Sequence, residues 1–288
     1  MALPSSGALS ISAIKTELGS TSNSLRALSA AAGKSIPDAM SEFYGYSNIP
    51  SLVTSGLVLH LDAGNATSYP GSGTTWTDLS PSATNATLVN GPTYSTVGSG
   101  SIVFDGSNDY ANLGNILGYD GSTGFTLSSW IRTTNTTNNQ PLTIMGKNII
   151  SSPYTGYQLG FNTSTATNPD IGKIGCALVD GSTTVLRKLT TGTYNNGTWY
   201  NVVMTYDGTK TRAGMLLYIN GVVPALVNQD ATSFAGSLSN SANFQIGARN
   251  GTAQPFPGNV AIAMVYNRSL SSAEVLQNYN ARSARFAA

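Results

Sequence analysis

From Gly56 to Tyr266 the chain is a succession of short runs with alternating apolar residues, broken by turns rich in Gly and Asn. Leu57, Leu59 and Leu61 alternate with Val58, His60 and Asp62. A period of two places every second side chain on one face, the signature of a half-buried strand. The runs Ser101–Asp105, Phe125–Arg132, Tyr157–Asn162, Ile174–Val179, Val185–Leu189, Trp199–Tyr206, Met215–Ile219, Phe244–Ala248 and Val260–Tyr266 read the same way. Asn220-Gly221 joins Met215–Ile219 to Val222-Val223 and predicts a type I′ hairpin. No helical pattern interleaves with the strands. Parallel strands would need such crossovers, so the pattern predicts an all-β, antiparallel sandwich.

Helical spacing is confined to the two ends. Ile11, Ile14 and Leu18 precede a stop at Gly19, and Leu25, Leu28 and Ala32 precede Gly33. A third short piece runs from Ser35-Ile36-Pro37-Asp38 through Met40, Phe43 and Tyr44 to Gly45. Asn48–Ser51 reads as a linker, which divides the chain into a helical module, 1–50, and a sandwich, 51–288. Three helices this short bury little surface, so the module is expected to lean on a partner or on copies of itself. At the other end, Ser271-Ser272-Ala273-Glu274 is a capping box, with Leu270 and Val275 placed as a hydrophobic staple. Leu276 and Tyr279 continue an apolar stripe, and Arg282 and Arg285 suit the helix C-terminus.

The chemistry open to this body is narrow. Glutamate occurs only at Glu17, Glu42 and Glu274, and there is one histidine, His60, and one cysteine, Cys176. These are the side chains that transfer protons, attack as nucleophiles or bind zinc near neutral pH. Their scarcity predicts a protein that holds a ligand and is not an enzyme. Charged residues make up 9% of the chain, and the formal net charge is +1. That leaves no field for nucleic acid. Cys176, inside a strand, is expected to be a buried inert thiol, and His60 a half-buried strand residue. The first residues lack a basic segment followed by an apolar one, so no signal peptide is expected. No apolar run is long enough for membrane insertion.

Two stretches resemble known families. Gly56–Ala63, Trp76–Ser80, Leu88–Pro92, Ser101–Tyr110, Trp199–Val203, Tyr218–Gly221 and Val265–Leu270, in this order, resemble the concanavalin A-like, LamG-type jelly roll. The N-terminal phrases Ser5-Ser6-Gly7, Glu17-Leu18-Gly19, Ser24–Ser29 and Met40–Ser47 resemble a module that begins virion proteins of tailed bacteriophages. The combination, with Tyr69–Trp76, is similar to phage tail-fibre and head-fibre proteins. The resemblance implies a structural protein of the virion, a fibre, decoration or adhesin. It would be made in the host cytoplasm, attached to other virion proteins through residues 1–47, and display a carbohydrate-binding sandwich to host-surface glycan. It also implies a homo-oligomer, with a trimer as the precedent of phage fibres. Two other roles stay open: a calcium-dependent carbohydrate-binding module of a cellular adhesin, and a glycan-cleaving enzyme.

Candidate ligand residues follow. The loop Asp105-Gly106-Ser107-Asn108-Asp109 clusters oxygen donors of the kind calcium takes. LamG-like relatives imply calcium near such a loop, with Asp105, Asn108 and Asp109 as ligands and Asp62 adding a carboxylate. The competing reading is a tight turn in which these side chains bond their own backbone. The last strand, Gly258–Ala263, lacks the acidic residue many relatives carry after Gly-Asn. Glycoside cleavage needs two facing carboxylates, whereas Asp170, Asp180, Asp207 and Asp230 all sit in turn-like contexts. Trp76, Trp130 and Trp199 could stack on sugars, although Trp130 and Trp199 fall in alternating strands and read as core. Tyr69, Tyr94, Tyr119, Tyr154 and Tyr194 lie in loop-like contexts and are the candidates for exposed ligand contacts.

Overall fold

A computed structural model of the protein describes residues 2–36, 38–46, 49–134, 141–152, 154–161, 171–181 and 184–287. The chain packs as two units, Met1–Leu52 and Val53–Ala288.

In the first unit, α1 (Ile11–Leu18) begins at Ser10, whose hydroxyl accepts the Ala13 N–H, and stops at Gly19 with φ 61°. Helix α2 (Leu25–Ala31) is capped in the same way by Ser24. The third expected helix is a single 3-10 turn, Met40–Phe43. Leu3, Ile14, Leu28 and Phe43 form a small core of the unit's own. Lys34 Nζ lies 5.2 Å from the Tyr46 ring centre and 5.6 Å from that of Phe43, covering one side of this core.

The second unit is a sandwich of two antiparallel sheets. Its strands are β1 (Leu57–Asp62), β2 (Thr75–Trp76), β3 (Ala86–Val89), β4 (Thr93–Ser95), β5 (Ser101–Asp105), β6 (Tyr110–Asn112), β7 (Phe125–Arg132) and β8 (Leu142–Asn148). They continue as β9 (Thr155–Phe161), β10 (Ile174–Asp180), β11 (Val185–Thr190), β12 (Tyr200–Tyr206), β13 (Met215–Ile219), β14 (Leu226–Asp230), β15 (Gln245–Ile246) and β16 (Pro257–Tyr266). One sheet runs β13-β12-β7-β16-β5-β4, with β1 also on β16; the other runs β14-β11-β10-β9-β8-β15-β6-β3-β2. The all-β jelly-roll reading of the sequence is borne out. Asn220 and Gly221 have φ 52° and 81°, the two positive values a type I′ turn requires.

The alternation fixes which side chains fill the space between the sheets. Tyr157, Leu159, Cys176, Leu178 and Leu186 from the second sheet meet Phe125, Leu127, Val202, Met204 and Leu217 from the first. Burial pushes the Cys176 thiol pKa up to about 12, so it carries no thiolate at neutral pH. His60 is 8% exposed, and burial lowers its pKa, so the ring is neutral at pH 7. Asn162, expected to end β9, lies outside the described residues.

Helix α3 (Ser272–Phe286) closes the unit. The capping box is present: Ser271 Oγ accepts the Glu274 N–H, and Glu274 Oε2 accepts the Ser271 N–H at 2.9 Å. Arg268 grips both oxygens of Glu274, at 2.6 and 3.0 Å. That fork, followed by the Ser271 amide, lowers the Glu274 pKa from 4.5 to about 2. A carboxylate whose pKa is depressed by folding stabilises fully above its unfolded value and loses that contribution as pH falls through the folded value. Acid titration should therefore cost the native protein more stability between pH 4.5 and 2 than it costs Glu274→Gln; denaturant midpoints at stepped pH would check this. Leu276, expected on the apolar stripe, is instead 41% exposed. The buried stripe is Val275, Asn278 and Phe286. Among the described residues no helix is long and apolar enough to cross a membrane.

Candidate ligand-binding cleft

The second sheet turns its other face outward. Cross-strand register aligns Gly146, Gln158, Ala177, Arg187 and Gln229 in one row across β8, β9, β10, β11 and β14. A second row aligns Asn148, Gly156, Val179 and Val185. Small residues at Gly146, Gly156 and Ala177 keep the floor low between taller neighbours. A Cβ at Gly156 would stand 2.0 Å from the Lys147 carbonyl, so no larger residue fits there without moving β8. Above this floor lies a cleft of about 580 Å³, of ordinary ligand size. Its walls include Ile150 and Tyr154 from the β8–β9 connection and Arg249 and Gln254 from the segment after β15.

The polar groups of the cleft are incompletely paired. Asn148 Nδ2 donates to Gln158 Oε1 at 3.0 Å, whereas Asn148 Oδ1 is buried with no partner. Arg187 pairs with Asp230 at 3.2 Å and Arg249 donates to the Ile149 carbonyl at 2.6 Å, yet the buried Nε of each has no partner. The Arg249 guanidinium lies 5.8 Å from the Tyr154 ring centre. Burial lowers both arginine pKa values, with Asp230 opposing this at Arg187, but a guanidinium stays cationic at pH 7. A buried polar atom left unpaired costs about 1–3 kcal/mol, so a group of them in one cleft marks a surface built for hydrogen bonds not made within the fold. No Asp or Glu is among the described residues that line it.

The residues anticipated from sequence are placed elsewhere, with one exception. Tyr154 is 49% exposed and lines the cleft. Tyr94 is 37% exposed and packs against Tyr69 at 5.8 Å. Tyr69 and Tyr119 are corrected to buried positions: Tyr69 is 4% exposed with its hydroxyl on the Gly73 carbonyl, and Tyr119 stacks on Phe125 in the core. Tyr194 is half-buried, edge-on to Tyr200. Trp76, Trp130 and Trp199 are all buried.

Asp62 is also reassigned. Its carboxylate accepts from Arg285 at 2.6 Å and from the Gly64 N–H at 2.9 Å. It pairs with Ile262 on β16, whereas Asp105 pairs with Pro257, so the two stand roughly 16 Å apart along that strand. In the loop itself Asp105 Oδ1 accepts the Ser107 and Asn108 amides, and Asp109 Oδ2 accepts the Asp105 amide. Asn90 holds the Asn108 carbonyl at 2.8 Å. Calcium takes six to eight oxygens. The loop brings together two carboxylates, each accepting a backbone amide of the loop, and the described residues contain no group of three or more His, Cys, Asp or Glu side chains that could hold a metal. Of the turn aspartates, Asp180 accepts the Gly236 amide, Asp207 the Thr209 amide, and Asp230 pairs with Arg187. Asp170 lies outside the described residues.

A model of the concanavalin A-like lectin/glucanases superfamily matches residues 105–276. The chain belongs to this superfamily. Similar solved structures are distant in sequence. The binding domain of Paraclostridial Mosquitocidal Protein 1 is 15% identical with a TM-score of 0.55, covering 78% of this chain and 52% of that one. A mutant Trypanosoma rangeli sialidase displaying trans-sialidase activity is 16% identical with a TM-score of 0.56, covering 83% and 35%. Domain 4 of AbnA, a GH43 extracellular arabinanase from Geobacillus stearothermophilus, solved in complex with arabinotriose, is 17% identical with a TM-score of 0.54, covering 79% and 100%. The chain thus spans about half of the toxin chain and about a third of the sialidase chain. No curated protein matches the sequence. In the first sheet β7, β12 and β16 bury nearly every side chain, because Tyr279 and Phe286 of α3 pack on Trp130 of its outer face. The cleft residues Asn148, Gln158, Arg187 and Arg249 are not among the candidates the sequence pattern offers, although it carries a weak signal for two of them. Gln158 stands between Tyr157 and Leu159, and Arg187 is one of two adjacent basic residues, with Lys188, in a strand of a chain with only 14 basic residues.

Proposed function

We propose that the protein is a non-enzymatic structural component of a tailed-phage particle, attached through residues 1–47, whose sandwich binds glycan in the cleft over β8–β11. The observation that carries the binding half is the cleft itself, with unpaired hydrogen-bonding atoms, an exposed tyrosine and no lining carboxylate. Sugar recognition calls for such a mixture of planar polar groups and an apolar wall. Hydrolysis of a glycosidic bond calls for two carboxylates flanking it, which the described lining lacks. The binding-domain titles of similar structures, and the arabinotriose complex of one, support this reading. The attachment half rests on the N-terminal phrases that resemble virion modules, and self-association would follow from that role.

Deleting residues 1–47 tests the attachment. The expected outcome is a folded sandwich with an unchanged melting transition that no longer co-purifies with particles. Normal incorporation of the truncated chain would contradict the docking role.

A further inference from the structure

The geometry points to an acidic saccharide, one bearing a carboxylate, as the ligand of this cleft; the inference rests on the cleft being the glycan site. Two guanidiniums, Arg187 from β11 and Arg249 from the segment after β15, line the same cleft, and no described lining residue is acidic. In a chain with 14 basic and 13 acidic residues, that is an uneven placement. Each guanidinium has five N–H donors. Among the described residues the hydrogen-bonding or ion-pair partner of Arg187 is Asp230, itself 40% exposed, and that of Arg249 is the Ile149 carbonyl. The Nε atoms of both are buried without a partner.

A planar carboxylate accepts two parallel N–H bonds from one guanidinium, which a lone hydroxyl cannot. Asn148 Oδ1, the unpaired acceptor on the same floor, matches a sugar hydroxyl donor. The exposed Tyr154 ring with Val179 and Val185 supplies an apolar surface for the C–H face of a pyranose. A sulfate or phosphate ester would meet the same guanidiniums, so the test must separate it from a carboxylate.

The full-length protein would be applied to an array of polyuronates and polysialic acid, each in free-acid and methyl-esterified form, beside neutral glucans and dextran sulfate. A free-acid polymer should be retained, its ester bound at least about tenfold more weakly, and dextran sulfate bound no better than the ester. Arg187→Gln and Arg249→Gln should each weaken retention by roughly tenfold or more, and Arg187→Lys should not restore it. The comparison of acid with ester uses the unaltered chain, so it holds even if a variant misfolds. Equal binding of acid and ester, or of neutral glucans, would overturn the acidic class and leave the cleft a glycan site. Dextran sulfate binding as tightly as the acid would reduce the effect to charge alone and overturn it too. Retention of no polysaccharide would overturn both this inference and the glycan-binding function.

Discussion

Replacing Arg285 by alanine should lower the stability of the sandwich by about 3–5 kcal/mol, the usual cost of leaving one partner of a buried ion pair alone. The side chains of Arg285 and Asp62 are 16% and 9% exposed. Arg285 Nη1 donates to Asp62 at 2.6 Å, Nη2 to the Gly100 carbonyl at 2.7 Å and Nε to the Gly98 carbonyl at 2.6 Å. One side chain from α3 therefore holds the end of β1 and the turn before β5 together. Removing it strands a carboxylate and two carbonyls at once. Lysine has a charge but not the three-way fork, so Arg285→Lys should recover only a part of the loss. The site is also crowded: a Cβ at Gly64 would stand 2.4 Å from Arg285 Nη2 and 2.3 Å from the Ser99 carbonyl. Urea unfolding of the variants measures the effect. A loss below about 1 kcal/mol would place the pair among exposed salt bridges of little worth.

Phe286→Ala should cost a similar amount, about 3–5 kcal/mol, by a different route. Phe286 is 8% exposed and lies 4.1 Å from the Trp130 ring, nearly parallel to it, and 5.1 Å from Trp199. Tyr279, two turns earlier, stacks on the other part of Trp130 at 5.6 Å. These aromatics close the outer face of the first sheet, so the last turn of α3 is a structural clasp. Loss of the phenyl ring opens a cavity against two tryptophans. A fall in melting temperature of roughly 10 °C is expected from such a change in a unit of this size, and intrinsic tryptophan fluorescence should shift to the red. The two substitutions lie on adjacent residues of one turn, so the double variant should lose less than the sum of the two.

The clasp explains what sequence made legible here and what it did not. The capping box at Ser271 and the Asn220-Gly221 turn are local: each is decided by neighbouring residues, and each is present as expected. The long strands showed because period 2 repeats several times within them. Strand β8 is masked in the sequence by Lys147, which breaks an apolar run, yet Lys147 is fully buried, with its ammonium on Asn115 Oδ1 and the Ala242 carbonyl. Strands β2, β3, β4 and β6 are two to four residues long, too short for any periodicity to register. Asp62 read as a metal ligand because its partner, Arg285, lies 223 residues away, and no local pattern announces that meeting. The cleft was hidden for the same reason. Its floor exists only when β8, β9, β10 and β11 align Gly146, Gln158, Ala177 and Arg187 in one row and Asn148, Gly156, Val179 and Val185 in the next. A tyrosine beside Gly or Pro reads as a loop residue in sequence, yet Tyr69 and Tyr119 fold their rings inward where an aromatic neighbour receives them.

The direct test is a crystal structure of the full chain with an oligosaccharide cut from whichever polymer the array retains. The sugar is expected in the cleft over β8–β11, within hydrogen-bonding distance of Arg187 and Asn148 and against the Tyr154 ring. A sugar held instead at the Asp105–Asp109 loop, or anywhere off that sheet face, would contradict the assignment.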